Sequence, residues 1–120
     1  MSSITDNLFS IYSKIVDRNS NTLYVVEADR PVTLIGLTST ILTDDSETID
    51  LKVVSNNVTY YLLKSYRIEN SKPDNLIKIL NRLTLNPGDS LIVQANNSFG
   101  VSVLPEIHFC ISFVRQPKLK

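Results

Sequence analysis

Tryptophan is absent, cysteine occurs once and glycine three times in these 120 residues, and each scarcity removes a class of protein. A single cysteine, Cys110, excludes an intrachain disulfide and any zinc site built from several thiolates. Burial alone must hold the fold. Charge of one sign is also missing: 12 Lys and Arg against 12 Asp and Glu produce no summed positive field to hold a phosphate backbone. No nucleic-acid partner is therefore expected, and the small basic clusters, Lys14 with Arg18 and Arg115 with Lys118 and Lys120, read as solvated surface. No run approaches the roughly 18 apolar residues of a membrane helix. The opening "MSSITDNLFS" has neither the basic n-region nor the apolar h-region of a signal peptide. The expectation is one soluble domain over residues 1–120, made in the cytosol, with no membrane partner. In that setting the Asn-x-Ser/Thr matches at Asn57 and Asn96 mark Asn-rich turns.

What is present is period two. In "TIDLKVV", residues 48–54, Ile49, Leu51 and Val53 share one face and Thr48, Asp50 and Lys52 the other, the alternation of a half-buried strand bordering solvent. In "EIHFCISFV" the apolar face carries Ile107, Phe109, Ile111 and Phe113, and the opposite face His108, Cys110 and Ser112. That strand supplies the aromatic weight of the core. Three further runs, "TLYVVE" from Thr22, "VTLIGLTSTIL" from Val32 and "VTYYLLKSY" from Val58, are apolar on both faces and rich in β-branched or aromatic residues. They are expected to be strands covered on both sides, by a second sheet or by a neighbouring subunit.

Clusters of Asn, Asp, Ser, Gly and Pro separate these runs: "DRNSN", "EADRP", "TDDSE", "SNN", "ENSKPDN" and "ANNSFG". Such residues accept positive φ, preset φ, or bond their own backbone. Their short intervals predict an all-β antiparallel sandwich or jelly-roll-like barrel of about seven or eight strands. Residues 75–85, "NLIKILNRLTL", fit two readings. Leu76, Ile79, Leu80 and Leu83 recur at helical spacing behind Pro73 and Asp74, while Ile77, Ile79, Leu83 and Leu85 fit strand alternation with Asn81 as the polar exception. The strand is preferred and the short helix stays open. Residues 1–21 form either a leading strand, with Phe9, Ile11 and Ile15 partly buried, or an arm that packs on another subunit.

In "LTLNPGDSLIVQA" a turn lies between two apolar runs. Pro87 at the second position with its preset φ and Gly88 at the third with positive φ predict a type II turn. Asp89 then bonds the turn backbone or faces water, and the turn serves to reverse the chain. Pro87, Gly88 and Asp89 are structural on this reading.

Sites with chemistry are sparse. Asp44, Asp45 and Glu47 form the best acidic group, without the spacing or the glycine of an EF-hand loop. His108 and Cys110 lie at i and i+2 on one strand face, where a nucleophile and base would meet. Nucleophilic catalysis also needs an orienting group and a donor pocket for the developing anion, and no glycine-rich elbow supplies either. A surface histidine and a small half-buried thiol are the readings adopted. Tyr60, Tyr61 and Tyr66 read as core or interface residues in preference to a stacking platform for a sugar or base. No catalytic residue, metal, cofactor or small-molecule substrate is expected.

The order "NTLYVVEADRPVTLIGLTSTILTDD", then "TIDLKVV", then a further strand, then "LTLNPGDSLIVQANNSFGVSVL" resembles a recurring small β-sandwich protein of tailed-bacteriophage virions. Members open with a Leu-Tyr-x-Val segment, continue through an apolar strand ending in a small polar turn, and later carry a Leu-x-x-Gly-Asp turn before a strand ending in Ala. The matching positions are Leu23, Tyr24 and Val26, then residues 32–37, then Leu85, Pro87, Gly88, Asp89, Leu91, Val93 and Ala95. The chain departs from the pattern at Glu27, Asp29 and Arg30 and in its longer apolar tail.

The resemblance implies a non-enzymatic virion component repeated on a tail, neck, baseplate or capsid surface, with itself and other virion proteins as partners. A neutral sandwich whose strands are apolar on both faces is compatible with a homo-oligomer. Its expected interface residues are Phe9, Ile11 and Tyr12, then Tyr60, Tyr61 and Tyr66, then Val114 and Leu119 in the 114–120 extension. The alternative is a carbohydrate- or receptor-binding sandwich that uses loop aromatics and the acidic 44–47 loop. The absence of Trp and the few loop aromatics beyond Phe99 weigh against it.

Overall fold

The structure is a computed structural model that describes residues 8–15, 19–42, 46–69, 74–75, 83–96 and 106–116. Among these residues the chain forms nine strand segments: β1 (Leu8–Lys14), β2 (Asn21–Val25), β3 (Val32–Ile41), β4 (Ser46–Ser55), β5 (Val58–Glu69), β6 (Asp74–Asn75), β7 (Leu83–Leu85), β8 (Ser90–Ala95) and β9 (Ile107–Arg115). All pairings are antiparallel. One sheet runs β1-β9-β3, and both β6 and β7 lie along the remaining edge of β3. The other sheet runs β2-β8-β4-β5. Because β7 pairs with Val32, Thr33 and Leu34 while β6 pairs with Thr38 and Ser39, the two share a single strand position.

The pairs nest: β1 with β9, β2 with β8, β3 with β6 and β7, β4 with β5. A long antiparallel ribbon rolled up so that alternate pairs fall in opposite sheets gives this order, which is the jelly roll. The expected all-β sandwich is therefore what the chain forms.

Hydrophobic alternation determines which face of each strand turns inward. Ile107, Phe109, Ile111 and Phe113 of β9 are all fully buried, as are Ile49 and Leu51 of β4, with Val53 nearly so. Each strand lies between two neighbours in its sheet, where loss of apolar surface to water is largest. Burying one such side chain stabilises the fold by roughly 1.5–3 kcal/mol. Leu34, Leu37 and Ile41 of β3 and Leu91 and Val93 of β8 complete the facing layers.

The other face of β4 differs from expectation. Thr48, Asp50 and Lys52 do not border solvent; they are 6%, 6% and 9% exposed. β4 is an inner strand, and polar side chains of its neighbours close over it. Lys52 Nζ donates to Gln94 Oε1 at 2.9 Å and to Ser20 Oγ at 3.4 Å. Asp50 Oδ1 accepts from the Ser65 N–H and from Asn96 Nδ2, both at 2.8 Å. Buried polar groups that are satisfied in this way cost little.

In the N-terminal segment the described residues 8–14 form a strand: β1 pairs with β9 at every residue without a register shift, and Ile15 is buried. Phe9 stacks on Phe113 with centroids 5.1 Å apart, and Tyr24 of the opposite sheet closes on Phe113 at 4.6 Å. This aromatic seam joins the two sheets at one end. Of residues 75–85, the described ends are extended, and residues 76–82, where the helix reading rested, lie outside the described set.

Two turns differ in what they connect. Asn56 and Asn57 both have positive φ, 52° and 65°, between the paired Ser55 and Val58; this is the type I′ geometry whose twist suits a two-residue hairpin. The turn at residues 86–89 is no hairpin. β7 belongs to the β3 sheet and β8 to the other, so this turn carries the chain across the sandwich instead of folding it back on its own partner.

Candidate functional site

The corner turn is built as the residue types require. The Asp89 N–H donates to the Asn86 carbonyl at 3.0 Å, and Gly88 has φ of 87°. With proline at the second position only a type II turn combines these features. The Asp89 carboxylate, 6% exposed, accepts from the Asn86 N–H at 2.9 Å. Two further bonds dock the turn on the end of β2: Gly88 N–H to the Val26 carbonyl, 3.1 Å, and Val26 N–H to the Asp89 carbonyl, 2.9 Å. Every polar group of Asp89 that these bonds describe serves the fold.

The outward face of the β1-β9-β3 sheet carries the residues with most chemistry. Tyr12 and Thr38 flank Cys110 in register, and Lys14 and Thr40 flank His108. Together they line a groove of about 370 Å³ that Ser13 and Phe109 also border. His108 Nε2 lies 2.6 Å from Glu106 Oε2, with both side chains about half exposed. Histidine and thiol thus share one face, as their spacing implies. Beyond the groove, Ser10 Oγ and Ser112 Oγ are 3.1 Å apart opposite Gly36, so the neighbouring floor is made of small side chains.

A second cluster lies on the other sheet, at the β4–β5 hairpin. Tyr60 and Tyr61 are 55% and 52% exposed, and Val58 is 48% exposed. The two tyrosines are consecutive on β5, the edge strand of its sheet among the described residues, and therefore point to opposite faces. Tyr60 lies opposite Val53 and Tyr61 opposite Lys52. The Tyr61 ring holds the ammonium groups of Lys64 and Lys52 at 4.6 and 5.5 Å from its centroid. β5 contains two register shifts against β4, between residues 61 and 66, whereas residues 58–61 pair regularly.

The remaining sequence-derived positions scatter. Phe9, Ile11 and Tyr66 are partly buried against the core; Tyr12, 78% exposed, faces outward. Val114 is half-buried between Leu8 and Thr33. Arg115 lies over the Phe9 ring at 4.1 Å and reaches Glu27 Oε1 at 3.4 Å, so it is not merely solvated. Leu119, Asp44, Asp45 and Phe99 lie outside the described residues. Glu47 is fully buried and accepts the Thr48 N–H at 3.1 Å. Among the described residues no group of three His, Cys, Asp or Glu converges to hold a metal ion.

Sequence reasoning missed Lys14, Thr38 and Thr40 as groove residues. The signal was present in "LTSTI", where threonines alternate with Leu37, Ser39 and Ile41. It became legible only once β3 was placed beside β9.

Comparisons with family models, with curated proteins and with solved structures each found no match.

Proposed function

We propose that this chain is a non-enzymatic structural component of a tailed-bacteriophage virion, assembling as repeated copies on a tail, neck, baseplate or capsid surface. The observation that carries the reading is the β4–β5 hairpin, an edge strand with two half-exposed tyrosines on opposite faces. An edge strand offers unpaired N–H and C=O groups to a further strand. A strand added beside residues 58–61 would cover Tyr60 on one face and Tyr61 on the other. The register shifts at residues 61–66 bend the strand beyond that point, which limits the contact to a short segment and favours a defined assembly over open aggregation.

Two further features support the reading. The jelly roll is an architecture of viral capsid proteins, although lectins share it. The sequence pattern from Leu23 to Ala95 resembles virion proteins of the same fold class. Partners are other copies of this chain and neighbouring virion proteins.

Sedimentation velocity on the full chain and on a Tyr60→Ser/Tyr61→Ser variant tests the interface. Both tyrosines are exposed, so the variant should remain folded, and association should weaken by at least tenfold. Unchanged association in a folded variant would remove the hairpin from the interface.

A further inference from the structure

The groove on the β1-β9-β3 face has a makeup that self-assembly through β5 does not use. Its floor is low: Cys110 lies between Thr38 and Tyr12, and His108 between Thr40 and Lys14. At its rim stands Tyr12, 78% exposed and outside the ring stacks that join Phe9, Tyr24 and Phe113. Around it are groups that donate and accept hydrogen bonds: the threonine hydroxyls, the Lys14 ammonium and the His108 imidazole, which is itself paired with Glu106 outside the lining.

We infer that this groove binds a neutral saccharide, with one pyranose ring resting on Tyr12. A pyranose has an apolar face of C–H groups and a circumference of hydroxyls that both donate and accept. The Tyr12 ring suits the first. Lys14, Thr38, Thr40 and His108, whose Nε2 is paired with Glu106, suit the second, because mixed donors and acceptors match hydroxyls better than they match a group of single polarity. The volume of about 370 Å³ falls in the lower range for small-molecule sites and leaves room for one or two rings.

Other ligand classes fit less well. A phosphate or acidic sugar would meet Lys14 but also the Glu106 carboxylate, which repels it. An aliphatic ligand would strip water from Lys14, Thr38, Thr40 and His108 without replacing their hydrogen bonds. A nucleobase gains most from stacking combined with basic groups along its backbone, and the groove offers one lysine, with the Glu106 carboxylate nearby at His108.

The inference goes beyond the assembly reading and does not depend on it, since the groove and the tyrosine hairpin lie on different sheets. The test uses the full chain labelled with ¹⁵N. Glucose, galactose, mannose and N-acetylglucosamine are titrated separately to about 100 mM, well above the millimolar affinity expected of an open single-ring site. At least one sugar should shift the amides of residues 12–14, 38–40 and 108–110. Tyr12→Ala should weaken that binding roughly tenfold, Thr38→Val should weaken it less, and Tyr60→Ala should leave it unchanged. Unshifted groove amides with all four sugars would overturn the inference. So would shifts that persist at full strength in a folded Tyr12→Ala chain.

Discussion

Asn86 and Asp89 are bonded to each other twice. The Asp89 N–H donates to the Asn86 carbonyl and the Asp89 carboxylate accepts the Asn86 N–H, closing a corner that passes the chain between sheets. Asp89→Ala removes a charge-assisted acceptor and should cost about 1.5–3 kcal/mol, read from urea unfolding. Gly88→Ala separates space from conformation. Among the described residues nothing lies within 4 Å of the added Cβ, yet φ is 87°, so the expected loss of about 1–2 kcal/mol is conformational. A neutral Gly88→Ala would show that the turn relaxes.

Ser39 makes the opposite prediction. It is fully buried on the inner face of β3, and its hydroxyl has no hydrogen-bond partner among the described residues. Ser39→Ala removes an unpaired polar atom and should be neutral or stabilising by up to about 1 kcal/mol. A clear loss in the urea midpoint would mean that the hydroxyl is engaged.

At the hairpin, Asn57 holds a φ of 65° that glycine adopts at no steric cost. Asn57→Gly should stabilise the fold by up to about 1 kcal/mol and leave the β4–β5 register intact. Amide exchange across that pair checks both parts.

Asp50 sets an acid limb. Burial pushes its carboxyl up, but the Asn96 amide, the Ser65 N–H and the charges of Lys64 and Lys52 outweigh burial and hold it below the ordinary 3.8. A carboxylate with a depressed folded pKa contributes stability that is complete above its unfolded value and lost as pH falls through the folded one. Stability should therefore decline below about pH 4, and Asp50→Asn should be less stable at neutral pH with a flatter acid limb. An acid limb of unchanged slope in that variant would assign the protons elsewhere.

The fold was legible wherever one face of a strand meets the core. Ile107, Phe109, Ile111 and Phe113 declare β9, and Ile49, Leu51 and Val53 declare β4, because apolar burial follows period two. The polar face of β4 was misread for a reason alternation cannot supply. Asp50 and Lys52 are covered by Ser65, Asn96, Gln94 and Ser20, which come from other strands and turns. The corner at residues 86–89 showed its turn type through Pro87 and Gly88, yet its destination depends on which sheet β8 joins. The groove suffered most. His108 and Cys110 were visible together, but Tyr12, Lys14, Thr38 and Thr40 reach them only through pairing of β1 and β3 with β9, and no local pattern encodes that pairing.

Self-association through the tyrosine hairpin is most directly tested by light scattering behind a sizing column, on the full chain over a wide concentration range. The prediction is a mass equal to a fixed whole number of 13.5 kDa chains, stable to dilution and lowered by the Tyr60→Ser/Tyr61→Ser change. A single-chain mass at every concentration would contradict it.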